Sequence, residues 1–139
     1  MNISANPPTG SVAYGRVVST PLGFEEAVER VRGALKAEGF GVLCDIDVSA
    51  TMQEKLDVAF RPYRILGACN PPLAHRALEI EPQIGLLLPC NVVVQRIDGR
   101  TIVSTIDAAL MMRTVGNPAL EEIAVDANRR LKRVLDAIE

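Results

Sequence analysis

Two short cysteine boxes are where this sequence could do chemistry. Cys69-Asn70-Pro71 and Pro89-Cys90-Asn91 each group a thiol, an amide side chain and a proline. In the first, Asn70 is a residue type favoured at helix N-caps. Pro71-Pro72-Leu73 suits a first turn, because proline lacks only an N–H that would be unpaired there. Cys69 would then feel the positive end of the helix dipole, and its pKa is expected below the roughly 8.5 of a free thiol. In the second box, Pro89 should break a strand ladder beside Cys90 and leave backbone groups free to face a ligand. If the two strands are neighbours, both boxes sit at the rim of one pocket. Cys69 and Cys90 are then about one side-chain length apart, without an obligatory disulfide. The competing reading makes both of them small buried hydrophobes. Cys44 lies in an alternating apolar strand and is expected to be remote and buried.

Other groups could join this chemistry. His75, the only histidine, lies six residues after Cys69 on the same helix. Its helical position points largely away from the apolar side, but turned inward it could ligate a metal or haem with Cys69 and Cys90. Met111 and Met112 could add a thioether. Asp45 and Asp47 share one side of a strand, as an acid–base pair or, more simply, as a solvated sheet face. Arg129, Arg130, Lys132 and Arg133 fall opposite Leu131, Val134 and Leu135 on a helix, and a solvated face explains them without nucleic acid.

These residues must be positioned by elements that the patterning delimits. A strand is expected over Val12–Val18. Phe24, Val28, Val31 and Leu35 mark a helix over Phe24–Glu38, ended by Gly39, with Phe40 packing back on Leu35. A strand follows at Val42–Val48, with Val42, Cys44, Ile46 and Val48 on one side. A capping box of Thr51 and Glu54 predicts a short helix through Leu56. Tyr63–Cys69 reads as a strand, and the Pro71 helix ends near Glu81-Pro82. Ile84–Val94 reads as a buried strand bulged at Pro89. Asp98-Gly99 predicts a hairpin pairing Ile97 with Arg100, Val94 with Val103 and Val92 with Thr105, and extension would bring Cys90 near Asp107. A short helix over Ala108–Arg113 and a long one from Pro118 to about Ile138 complete the chain. The fold class is α+β: an antiparallel sheet with two long helices packed on one face, in the order β-α-β-β-(short α)-β-β-α.

The 139 residues fit one domain, 12–139, behind a flexible leader at 1–11. Three cysteines without a Cys-x-x-Cys pair argue against a disulfide framework and a zinc ribbon. No apolar run reaches the roughly 20 residues of a membrane span, and no signal-peptide pattern opens the chain. A net charge of −2 gives no global footprint for nucleic acid. The expected location is the cytoplasm. The Val92–Thr105 hairpin is apolar on both faces, so one face is left for a homo-oligomer, most simply a dimer.

Three runs carry a family resemblance: Gly39-Phe40-Gly41-Val42-Leu43 with Asp45-Ile46-Asp47, Tyr63 through Ala74, and Leu86 through Val94. Together they resemble the prokaryotic domain-of-unknown-function family numbered 302, over about residues 12–138. Lys55 also matches the family pattern. The resemblance implies a fold like that of the TATA-binding-protein group, which by itself implies no DNA binding. The candidate ligand-binding set is Cys69, Asn70, Cys90, Asn91 and Lys55, and the candidate metal set is His75, Cys69 and Cys90. Three functions compete: a small-molecule or metal/haem-binding module at Cys69 and Cys90, a thiol redox protein or enzyme using Cys69, and a structural or oligomerisation module without catalysis.

Overall fold

A computed structural model describes residues 10–139. The leader expected at 1–11 lies outside the described residues except for Gly10 and Ser11. These two form, with Val12, the short strand β1 (Gly10–Val12). The first strand therefore divides into β1 and β2 (Gly15–Thr20), paired as an antiparallel hairpin. Helix α1 spans Phe24–Ala37, β3 spans Gly41–Asp47 and α2 spans Val48–Leu56. Strand β4 (Tyr63–Cys69) and helix α3 (Pro71–Ile80) follow. After a 3₁₀ turn come β5 (Cys90–Ile97), β6 (Arg100–Ile106), α4 (Ala108–Val115) and α5 (Glu121–Ile138). The six strands form one antiparallel sheet in the order β1-β2-β6-β5-β4-β3.

The two long helices cover one face, because their apolar stripes match the strand residues pointing at them. Val28, Val31 and Leu35 of α1 meet Leu131, Val134, Leu135 and Ile138 of α5 over Leu66, Val92, Val94 and Val103. A second apolar cluster joins Leu73 and Ala77 of α3, Ala108 and Met112 of α4, and Ile123, Ala124 and Ala127 of α5. The Asp98-Gly99 hairpin has the expected register in all three named pairs. On its other side β5 pairs with β4, Cys90 opposite Ala68, while the β5–β6 register runs on toward Asp107, which caps α4.

Three expectations fail for local reasons. In β3 a bulge shifts the register between Val42 and Cys44, so the strand does not alternate regularly. Val42 pairs with Ala68 on the helix-covered face, whereas Cys44 and Ile46 pair with Gly67 and Ile65 on the other. Cys44 is exposed rather than buried. Helix α2 is capped by Asp47, whose Oδ1 accepts from the Ala50 N–H at 2.9 Å, while Thr51 donates to the Asp47 carbonyl. The apolar run Ile84–Val94 is not one strand. Pro82–Leu87 forms a 3₁₀ helix, since proline suits a first helical turn and Pro89 has no N–H to extend the ladder. Leu86 is accordingly 82% exposed.

Asp45 and Asp47 do share a side, but Asp45 is no solvated carboxylate. Arg64 donates to it from Nε at 2.7 Å and Nη2 at 2.5 Å, and Arg32 of α1 reaches the same group. The Arg64 guanidinium holds the Asp45 carboxyl below its ordinary range. Donation from the Ala50 N–H does the same for Asp47. For Asp107, burial pushes upward, but donors from Asn128, Leu110 and Ala109 outweigh it and the net shift is downward. Carboxyls depressed on folding contribute stability above the unfolded carboxylate pKa of roughly 3.9, and that stability is lost as pH falls through the lower folded values. Thermal melts are therefore expected to drop below about pH 4, and Asp45→Asn should flatten that drop. An unchanged pH slope in Asp45→Asn would show that the Arg64 pair contributes nothing.

Candidate functional site

β4 stops at Cys69 because the next residue starts a helix. Asn70 Oδ1 accepts from the Leu73 N–H at 3.4 Å, with Pro71 and Pro72 in the first turn. The Asn70 Nδ2 donates to the Glu38 carbonyl at 3.3 Å, and Arg130 Nη1 donates to the same oxygen at 2.9 Å. The start of α3, the end of α1 and the middle of α5 are thus tied at one carbonyl. Gly39 makes the junction possible, with φ +85° and an added Cβ only 3.1 Å from Asn70 Nδ2. Its N–H and that of Phe40 close the end of α1 on the Lys36 and Leu35 carbonyls, the expected Schellman ending.

The same junction alters the role expected of the helix dipole. Pro71 and Pro72 have no N–H, and the Leu73 N–H is taken by Asn70. The first turn of α3 therefore offers Cys69 no free backbone donor.

β5 begins at Cys90, immediately after the cis Leu88–Pro89 bond. Because β4 and β5 are neighbours and Ala68 pairs with Cys90, the two thiols come to the same end of the sheet. Both line a half-open cavity of about 320 Å³ bordered by the strand ends and α3, α4 and α5. Asn70, Leu73, Met112 and Ala124 also line it, and no charged side chain does so among the described residues. Cys69, Cys90 and Cys44 are all free thiols. Burial pushes the Cys90 thiol up to about 11, with a smaller electrostatic contribution from the neighbouring Cys69. Cys90 is therefore a neutral thiol at ordinary pH.

The remaining candidates lie elsewhere. Asn91 is paired with Gly67 and lines a separate cavity of about 260 Å³ on the open sheet face, beside Tyr63, Val93 and Ile102. Lys55 is exposed on α2, 3.8 Å from Glu54. His75 is exposed and 3.2 Å from Glu79, so an imidazole-ligated metal or haem would find no imidazole on the cysteine cavity's described wall. Among the described residues no cluster of three His, Cys, Asp or Glu could hold a metal ion. The basic residues of α5 are engaged: Arg129 and Arg130 with Asp126, Lys132 with Asp136, and Arg133 with Glu38. Sequence reading left Leu43 and Ala124 out of the site. The bulge sends Leu43 to the cavity wall against the strand's alternation, and Ala124 is one of many apolar positions on a long helix.

The family model for "domain of unknown function DUF302" matches residues 16–138. The chain belongs to this family. Its DUF302 fold is shared by a crystal structure of an uncharacterized conserved DUF302 protein from Bacillus stearothermophilus. The two are 36% identical, with a TM-score of 0.86 over 92% of this chain and 100% of the other. No curated protein matches this DUF302 chain. None of its helices among the described residues is long and apolar enough to cross a membrane.

Proposed function

We propose that this DUF302 domain binds an uncharged, largely apolar small molecule in the cavity between Cys69, Cys90 and helices α3, α4 and α5. The observation that carries this reading is the wall itself: about 320 Å³ of concave space with two free thiols, one amide and no charged side chain. Ligand sites are typically concave, mostly apolar and marked by a few polar groups. A charged group inside would stay unpaired, at a cost of several kcal/mol. Thiolate chemistry at Cys69 is less well supported, because the α3 N-terminus has no free donor to offer it. A reducing compartment such as the cytoplasm would keep the thiols free.

The open sheet face supports self-association. Tyr63, Ile65, Val93, Ile97 and Ile106 are half-buried there, and Ile46 is 47% exposed. A two-fold dimer on this face is the simplest outcome.

One set of measurements tests both. The neutral fluorophore N-phenyl-1-naphthylamine should bind the purified chain saturably, and Ala74→Leu, which fills the cavity wall, should abolish most of that binding. Native mass spectrometry of the same sample should show a dimer. Probe binding untouched by Ala74→Leu would remove the cavity reading, and a strictly monomeric mass at micromolar concentration would remove the dimer.

A further inference from the structure

We infer that the cavity takes the unbranched hydrocarbon chain of a free single-chain amphiphile, with its polar head left at the mouth, and that Met112 sets the length of chain held. This rests on the reading of that cavity as a binding site and names its ligand class and the residue that gauges it. The wall is apolar to its outer edge. Leu43 and Leu78 line the cavity and are nonetheless 69% and 41% exposed, so the apolar lining continues into solvent at the mouth. A second space of about 180 Å³ adjoins the first, and Leu88, Pro89, Cys90, Ala108 and Met112 line both. Leu86, 82% exposed, lines the second space and not the first. Exposed leucine therefore marks the outer edge of both spaces, and covering the two takes a long occupant rather than a compact one.

The wall selects hydrocarbon. Asn70 is the one amide side chain in it, and both ends of that amide are engaged, Oδ1 by the Leu73 N–H and Nδ2 by the Glu38 carbonyl. The thiols are only weak donors and acceptors. A hydroxyl or amide carried inside by the occupant would lose water without gaining a good partner. Phe40 is the one aromatic ring in the wall among the described residues, so a planar occupant finds little to stack on. The partition between the two spaces selects length. Pro89 is a closed ring and Ala108 ends at Cβ, whereas Met112 is unbranched and turns about several side-chain bonds. It is 8% exposed, so it stands inside the protein, where the end of a chain would meet it. A chain that fills the first space stops at Met112, and shortening that side chain opens the way into the second. The net charge of −2 does not favour an anionic membrane surface, which favours a free amphiphile over a chain held in a bilayer.

The test is titration calorimetry of the full-length chain with the series from 1-hexanol to 1-dodecanol. Affinity should rise about fourfold for each added carbon, the effect of one buried methylene, and level off at the length that reaches Met112. In Met112→Ala the plateau should move to longer chains, and in Ala74→Leu binding should fall at every length. Gln95→Ala, in the cavity on the open sheet face, should leave the series unchanged. Circular dichroism checks each variant, and Leu88→Ala, at another residue of the partition, replaces Met112→Ala if the latter does not fold. Affinity that does not grow with chain length would overturn the assignment. So would 1-adamantanemethanol, which packs eleven carbons into a cage, binding as tightly as 1-undecanol. A plateau that is absent, or unmoved in the folded variant, would remove Met112 as the gauge. Co-sedimentation with phosphatidylcholine vesicles in the absence of alkanol binding would put a membrane surface in place of the free amphiphile. The neutral fluorophore is titrated into the same protein. If it binds and the alkanols do not, the chain assignment alone fails. If neither enters, the cavity reading fails with it.

Discussion

Leu131→Ala is expected to lower the stability of the domain by about 2–5 kcal/mol, the range for removing a fully buried leucine from a packed core. Leu131 is 1% exposed and packs in the cluster that joins α1, α5 and the sheet. Its loss removes apolar burial and leaves a cavity between elements held on several sides, so collapse around it should be incomplete. The neighbouring Arg130→Ala makes the useful comparison. The helical pattern places Arg130 on a solvated face, where substitution costs within about 0.5 kcal/mol. The structure instead sets its Nη1 on the Glu38 carbonyl and its Nε on Asp126, with the side chain half-buried. Losing those contacts should cost about 1 kcal/mol. Urea melts should rank Leu131→Ala well above Arg130→Ala, and equal effects would mean the core side of α5 is wrongly assigned.

Gly67→Ala is expected to cost about 1–2 kcal/mol net. Gly67 is buried in β4, and a Cβ there would lie 2.5 Å from Cys44 Sγ and 2.8 Å from Pro89 Cγ. Overpacking of this kind costs about 1–3 kcal/mol. That outweighs the roughly 0.5–1 kcal/mol by which alanine normally improves on glycine in a strand. The two clashes are not equivalent. The Cys44 thiol is exposed and can swing away, whereas the Pro89 ring is fixed beside Cys90. The double variant Gly67→Ala/Cys44→Ala should therefore recover only part of the loss. Displacement of Pro89 should also weaken binding of the neutral fluorophore. A Gly67→Ala protein as stable as the parent in urea melts, within about 0.5 kcal/mol, would show that the strands yield more easily than this packing implies.

What sequence reading could reach follows from how local each signal is. The helical stripes of α1 and α5, the limits of β4, the Asn70 cap and the hairpin register each rest on a few adjacent residues, and the structure agrees with all of them. The misses depend on partners far along the chain. Nothing near Asp45 announces Arg32 and Arg64, and nothing near Arg130 announces Glu38. The bulge at Leu43 adds one residue to one strand only, which alternation cannot register, and it put Cys44 on the wrong face. The cysteine boxes were legible as a neighbourhood because β4 and β5 are adjacent, and α4 was reached through Met112, whereas the wall contributed by α5 was not legible. His75 was legible as the outward residue its helical position makes it.

The bulge has a consequence for growth of the sheet. β3 is a border strand, and a border strand carries a row of unpaired backbone groups that invites another chain to add on. At Leu43 that row is kinked, and only Cys44–Asp47 remains as regular strand before α2 turns the chain away. A second molecule has little straight template to zip along, so stacking without end is blocked on this side. Contact through the open face is of a different kind. Two identical faces that met about a two-fold axis would cover each other and leave nothing further to recruit, so the proposed association there would stop at a pair.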